Sequence, residues 1–237
     1  MDAERQDSAT EIIPLFPLQT VLLPGATLPL HLFEPRYRQL AVDLLTGTVP
    51  DRRFGIIAIR TSAVREVEKL DHVHGIGCTA LLGDSERLPD GRFDIITRGE
   101  RRFRLLEIDN GRAPYLVGTV EWIDDVPVPP AAGQAVQGLR DAALAAHAAY
   151  CDAAWHRDSW ATPEPGIDAG MLSYLLAADC LLPLADRQHL LEETQPLRRL
   201  RLVNRMLRRE AGFLTKLRAV PAPPPELIQL GLPASLN

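Results

Sequence analysis

Lysine is nearly missing from this chain. Of its 26 lysine and arginine residues only Lys69 and Lys216 are lysines. No Gly-Lys dipeptide occurs, which excludes a P-loop, because that turn needs Gly-Lys-Ser/Thr to cradle a phosphate. A Ser-Lys catalytic pair needs a lysine whose pKa is depressed by its pocket. Lys69 lies instead in the polar run REVEKLD, and Lys216 lies near an arginine cluster. Cysteine is scarce as well. Cys78, Cys151 and Cys180 are odd in number and far apart, which is no disulfide framework. There is no run of about 18 or more uncharged apolar residues, so no transmembrane helix is expected. The opening MDAERQDSATE is polar and acidic, unlike a signal peptide. A G-x-S-x-G turn, the setting of many hydrolase serines, is also missing. These absences predict a soluble, reduced, cytoplasmic protein that is not an enzyme, with no catalytic residue, cofactor, metal or membrane partner.

What the chain does have is an ordinary apolar fraction, 46% over 237 residues, enough for one large domain or two small ones. The first half carries strand signals. EIIPLF (11–16), VLL (21–23) and TLPLHLF (27–33) are short apolar runs among prolines. Pro29 marks its run as an edge or a bulge, since proline cannot donate to a ladder. A helix is expected to open at Glu34 as N-cap and Pro35 at N1. Tyr37, Leu40, Ala41, Leu44 and Leu45 form its apolar face, Arg38 is a partner for Glu34, and Thr46-Gly47 ends it. FGIIAIR (54–60) and GIGCTALL (75–82) read as buried strands. LPDG (88–91) is a turn into RFDIITRG (92–99). Asn110-Gly111 predicts a type I′ turn between ERRFRLLEID (100–109) and RAPYLVGTVEWID (112–124). Seven or eight short strands at this spacing predict a small barrel.

VPVPPAAG (126–133) breaks the pattern. Beyond it lie an alanine-rich helix (134–157), a loop (159–166), a helix capped by Asp168, and one from Asp186 to Glu193. A last helix is expected to be capped by Thr194, with Leu197, Leu200, Val203, Leu207, Ala211 and Leu214 on one stripe. The fold class is therefore α+β. A β subdomain is expected over 11–125, a helical bundle over 134–218, and a proline-rich, extended or disordered tail over 219–237.

The net charge of −5 conceals an asymmetry: Asp186–Arg218 holds nine basic and four acidic residues. Arg198, Arg201, Arg205, Arg208 and Arg209 share a broad helix face, with Arg199 beside them. That face fits RNA phosphate or an acidic partner, or else is a solvated surface paired with Glu192, Glu193 or carboxylates of the β part. Aromatics to stack bases are missing from this segment. Arg102 and Arg104 are expected to face outward together. Two imidazoles, His72 and His74, share a face if their segment is a strand, with Cys78 nearby. His147 and Cys151 are at i, i+4, with His156 beyond. Each set is half a metal site or an incidental pair.

Several segments in order resemble the Lon protease N-terminal, substrate-binding domain family: IPLFPLQTVLLPGATLPLHLFEPRY (13–37), FGIIAI (54–59), GIGCTALL (75–82), LPDGRFDIITRGERRFRLLEI (88–108), PYLVGTVEWI (114–123) and LLPLADRQHLLEETQPLRRLRLVNRML (181–207). The resemblance spans roughly 11–212. It implies a PUA-like β pseudo-barrel followed by a helical bundle, in a stand-alone member without the ATPase and protease domains. It further implies binding of unfolded or degron-bearing polypeptide, working with a separate protease. Leu28, Leu30, Phe33 and Tyr37, at the strand-to-helix junction, are the candidate peptide-binding residues, or else pack on the barrel or under the helical part. RNA is the alternative partner, through the PUA-like barrel and the arginine-rich helix. Overall acidity argues against RNA.

Overall fold

Among the described residues the strand signals of the first half resolve into six strands, where seven or eight are expected. The computed structural model describes residues 10–61, 63, 66–154, 163–164 and 166–217. It divides into two compact units, Met1–Asp124 and Asp125–Asn237. The tail 219–237, the end of the expected helix 134–157 with His156, and most of the expected loop 159–166 lie outside the described residues.

In the first unit the strands are β1 (Thr10–Leu18), β2 (Thr27–Leu32), β3 (Arg53–Ala58), β4 (Ile76–Arg87), β5 (Phe93–Asp109) and β6 (Val117–Ile123). They form one sheet in the order β2-β5-β4-β3-β1-β6, and β5 also pairs with β6. That last pairing closes five strands into a ring and leaves β2 outside it, paired only with β5. The ring is uneven: β1 and β3 are parallel and the other pairs antiparallel. β2 is thus an edge strand, as its Pro29 requires.

The 17-residue β5 replaces two expected strands. Its first half pairs with β2 and its second with β6. Gly99 sits at the change-over. A Cβ there would strike the Leu23 carbonyl oxygen, because the 23–26 loop is pinned to Gly99 by two backbone hydrogen bonds. VLL (21–23) is accordingly a buried loop, not a strand. The 88–91 turn forms as expected, with Gly91 at φ 82° and its N–H donating to the Leu88 carbonyl. Asn110-Gly111 does not form a type I′ turn, since neither residue has positive φ. The Asp109 carboxylate instead accepts from the N–H groups of Gly111 and Arg112, an Asx turn within a longer connection.

Side chains fill the ring. Ile13, Leu15, Ile57, Phe103, Leu105 and Val120 belong to one buried cluster. Phe103 fits because β3 and β4 offer glycines opposite it: a Cβ on Gly55 would lie 2.8 Å from the ring, and one on Gly77 would also collide with it. Helix α1 (Pro35–Thr46) buries Tyr37, Leu40, Ala41 and Leu44 and ends at Gly47 in the left-handed region. Leu45, expected on that face, is exposed. Glu34 is the N-cap residue but makes no capping hydrogen bond. Its carboxylate pairs with Arg36, 2.8 Å away, not with Arg38.

The second unit holds α2 (Gly133–Ala154), α3 (Ala169–Ala178), α4 (Leu184–Glu192) and α5 (Pro196–Leu217). Small side chains on α2, among them Ala143, Ala146 and Ala154, are buried. Asp168 caps α3 by accepting from Gly170 and Met171 N–H groups, as its position predicts. The last helix starts with Pro196 at N1, later than a Thr194 cap implies. Leu200, Val203, Leu207 and Ala211 form its buried stripe, while Leu197 and Leu214 are only half-buried. No helix among the described residues is long and apolar enough to cross a membrane.

Candidate binding site at the barrel mouth

One end of the ring is open. A cavity of about 400 Å³ is lined there by the first residues of β1, the 49–53 segment, Thr79, Glu100, Arg101 and Trp122. Its shape starts with a bulge. The β4–β5 register passes from Cys78↔Arg102 to Ala80↔Gly99, so Thr79 faces two residues instead of one. The Thr79 hydroxyl accepts from the Arg101 N–H at 3.1 Å and donates to the Arg101 carbonyl at 3.2 Å, which closes the bulge. Bulges re-aim side chains. Here Arg101 lies 4.7 Å from the centre of the Trp122 ring, a cation–π contact, and 3.4 Å from Asp124. Beyond the bulge the ladder is regular, so Arg102 and Arg104 share a face two residues apart, yet Arg102 is buried. Arg104 alone is exposed, 3.8 Å from Glu121.

The opposite rim is charged. Arg53 donates to Glu100 at 2.5 Å and lies 3.5 Å from Asp51, and this pairing raises its pKa. Asp51 and Arg52 both have positive φ, 59° and 56°, a pair of left-handed residues without glycine. Each such residue costs roughly 1–2 kcal/mol, and strain of this kind gathers at functional sites. Ile12 on β1 is 48% exposed and forms an apolar lip.

The four residues of the strand-to-helix junction are not brought to one surface. Leu28 and Leu30 point inward from β2 and are buried. Tyr37 is buried too, its ring 3.9 Å from Phe16 in a stack, and burial pushes its phenol up to about 12. Phe33 is 61% exposed and lies near the His31 ring.

The sequence model described as the ATP-dependent protease La (LON) substrate-binding domain matches residues 12–209. The chain belongs to this Lon substrate-binding domain family. It is 25% identical over 220 residues to the Lon protease of Trichlorobacter lovleyi, covering 90% of this chain and 26% of that protein. It is 24% identical to the Lon protease of Desulfovibrio desulfuricans, covering 90% and 24%. The chain thus spans about a quarter of the length of the curated relatives it matches. Among solved structures it is similar to the Lon N-terminal domain protein from Xanthomonas campestris, with TM-score 0.55 and 28% identity over 81% of this chain and 95% of that one. The N-terminal domain of Mycobacterium avium complex Lon protease shares the fold, with TM-score 0.59, 17% identity, and coverage of 83% and 98%. The ATPase and protease parts of Lon are not in this sequence.

Within this Lon-family chain the arginines of α5 divide into four groups. Arg198, Arg201 and Arg205 are exposed and make no ion pair among the described residues. Arg208 is exposed and bonds Asn204. Arg209 is held by Asp186 and Glu210. Arg199 is wholly buried. Its guanidinium donates to Asp125, to the Ser173 hydroxyl at 2.7 Å and to the Glu193 carbonyl at 2.6 Å, and lies 3.9 Å from the Tyr174 ring. A sequence signal for this existed: Arg199 sits between Pro196 and Val203 on the apolar side of α5, where a cation demands partners.

His72 and His74 do not lie on a strand. His72 ends a short 3₁₀ turn, Leu70–His72, and its ring accepts from the Glu68 N–H. Cys78 is buried on β4, which pushes its thiol up to about 12. His147 and Cys151 lie 3.4 Å apart on α2. Burial pushes the His147 imidazole down to about 4 and the Cys151 thiol up. Among the described residues no group of three or more His, Cys, Asp or Glu could hold a metal.

Proposed function

We propose that this chain is a non-catalytic polypeptide-recognition module that binds unfolded or degron-bearing protein segments for a protease. The match of residues 12–209 to the Lon substrate-binding family carries this reading. The open barrel mouth, with apolar Ile12 and Trp122 beside paired charges, supports it physically. Burying apolar side chains there contributes roughly 25 cal/mol per Å², and the main chain of an extended segment supplies hydrogen bonds whatever its sequence. Three free thiols suit work in the reducing cytoplasm.

Fluorescence anisotropy tests it, with a labelled unfolded polypeptide and a labelled single-stranded RNA at about 50 and 200 mM salt, a range over which phosphate contacts lose most of their affinity. Polypeptide binding that survives the higher salt is expected. RNA binding is the second reading, favoured by exposed Arg198, Arg201, Arg205 and Arg208 on one face of α5. Salt-sensitive RNA binding without polypeptide binding replaces the first reading by the second.

A further inference from the structure

We infer that the barrel mouth selects extended polypeptide in which a bulky apolar residue is followed or preceded, two positions away, by arginine or lysine. This inference rests on the proposed function and adds the place and the chemistry of recognition.

The first observation is an open strand edge. Residues Thr10–Pro14 of β1 pair with β6 on one side. On the other side β3 takes only Leu15–Leu18, and no strand among the described residues covers Thr10–Ile13. An incoming extended segment can add there, as peptides add to open sheet edges. Its side chains then alternate between the two faces, and those beside Ile13 and Glu11 fall on the same face two residues apart.

The second observation is what those two positions offer. Ile13 is buried at the floor of the cavity, with Trp122 and Pro14 beside it. A bulky apolar side chain opposite Ile13 therefore replaces water in a cavity of about 400 Å³. Opposite Glu11 the rim is acidic. Glu11, Asp51 and Glu100 all act on the Arg53 guanidinium, and Arg53 is already paired with Asp51 and Glu100. Arg101, the other cation, is engaged by Trp122 and Asp124. Glu11 is exposed and acts on Arg53 only at longer range, after Glu100 and Asp51. The rim thus keeps an uncompensated negative charge beside an apolar floor, which attracts a basic side chain and repels an acidic one or a phosphate.

The test uses the full chain and three labelled unstructured peptides that differ at two positions: Phe-x-Arg, Phe-x-Glu and Ser-x-Arg. Phe-x-Arg is expected to bind about tenfold tighter than Phe-x-Glu and tighter than Ser-x-Arg, since tenfold corresponds to one well-placed charge contact. Glu11→Arg is expected to invert the Arg-over-Glu preference without changing the melting temperature, because Glu11 is exposed. Phe33→Ser, at the other exposed aromatic, is expected to leave all three affinities unchanged. Peptide binding that ignores the Arg-to-Glu change, or that Glu11→Arg leaves as it was, overturns this site while the proposed function stands. Absence of binding by every peptide and by unfolded protein overturns both.

Discussion

Arg199 holds the carboxylate of Asp125 with two parallel hydrogen bonds, of 2.9 and 2.5 Å. The guanidinium is fully buried and the carboxylate one-third exposed. Bidentate pairing is the strong form of this interaction; Ser173 and Glu193 accept two further N–H groups, and Tyr174 covers the face of the cation. The clamp joins the first residue of the helical unit to α3 and α5. It is packed so tightly that a Cβ on Gly170 would lie 2.7 Å from Asp125 and 2.9 Å from Arg199.

Removing one partner of such a pair leaves a buried charge uncompensated, at a cost of about 3–5 kcal/mol. Asp125→Ala, which leaves the buried guanidinium, is expected to lower stability by that amount in urea titrations, and Arg199→Ala by less, because the carboxylate it leaves is one-third exposed. The double variant is expected to lose much less than the sum. Additive losses contradict the clamp.

His147 makes folding stability depend on pH. Its imidazole is pushed down to about 4 by burial, from an ordinary value near 6.5. Below 6.5 the unfolded chain takes up a proton that the folded one refuses, so stability falls as pH drops from about 6.5 towards 4. Above that window His147 contributes no pH dependence. Allowing for partial solvent screening, the loss is about 1–2 kcal/mol. His147→Leu is expected to flatten melting temperature against pH across this window; an unchanged slope refutes the assignment.

Two phenylalanines give opposite results for the same substitution. Phe103→Ala empties the centre of the ring and is expected to cost about 3–5 kcal/mol. Phe33→Ala, at a side chain 61% exposed, is expected to change stability by no more than about 0.5 kcal/mol. Chemical denaturation of both variants reads the difference.

The left-handed turn at the mouth offers a further check. Asp51→Val forces a β-branched residue into positive φ, whereas Asp51→Gly removes the penalty, and both delete the same carboxylate. The glycine variant is expected to be more stable than the valine variant by about 1–2 kcal/mol. Equal stabilities mean the turn is not strained.

The β-then-α order was legible because its punctuation is local. Pro35 and Gly47 bracket α1, Leu88–Gly91 makes a turn, and Asp168 caps α3. The continuity of β5 was not, since Gly99-Glu100 looks like a break and works as one only through the 23–26 loop packed across it. The Asn110-Gly111 turn was misread because the preceding Asp109 takes the amides. Arg102 and Arg199 are charged residues that composition assigns to the surface, and the burial of Arg199 becomes legible only with the Asp125 carboxylate that takes its charge. The mouth was invisible because Glu11, Asp51, Thr79, Arg101 and Trp122 meet only when the ring closes. Of the four junction residues singled out, Leu28, Leu30 and Tyr37 spend their apolar surface on the core, which periodicity cannot distinguish from a binding face.

Amide hydrogen exchange of the full chain, with and without saturating unfolded polypeptide, tests the central claim most directly. Slowed exchange in the Thr10–Ile13 and Asp51–Arg53 segments and around Trp122 is the predicted result, as a docked strand covers the open edge of β1. Slowing confined to Arg198–Arg208, or none anywhere under saturation, contradicts a polypeptide-binding barrel mouth.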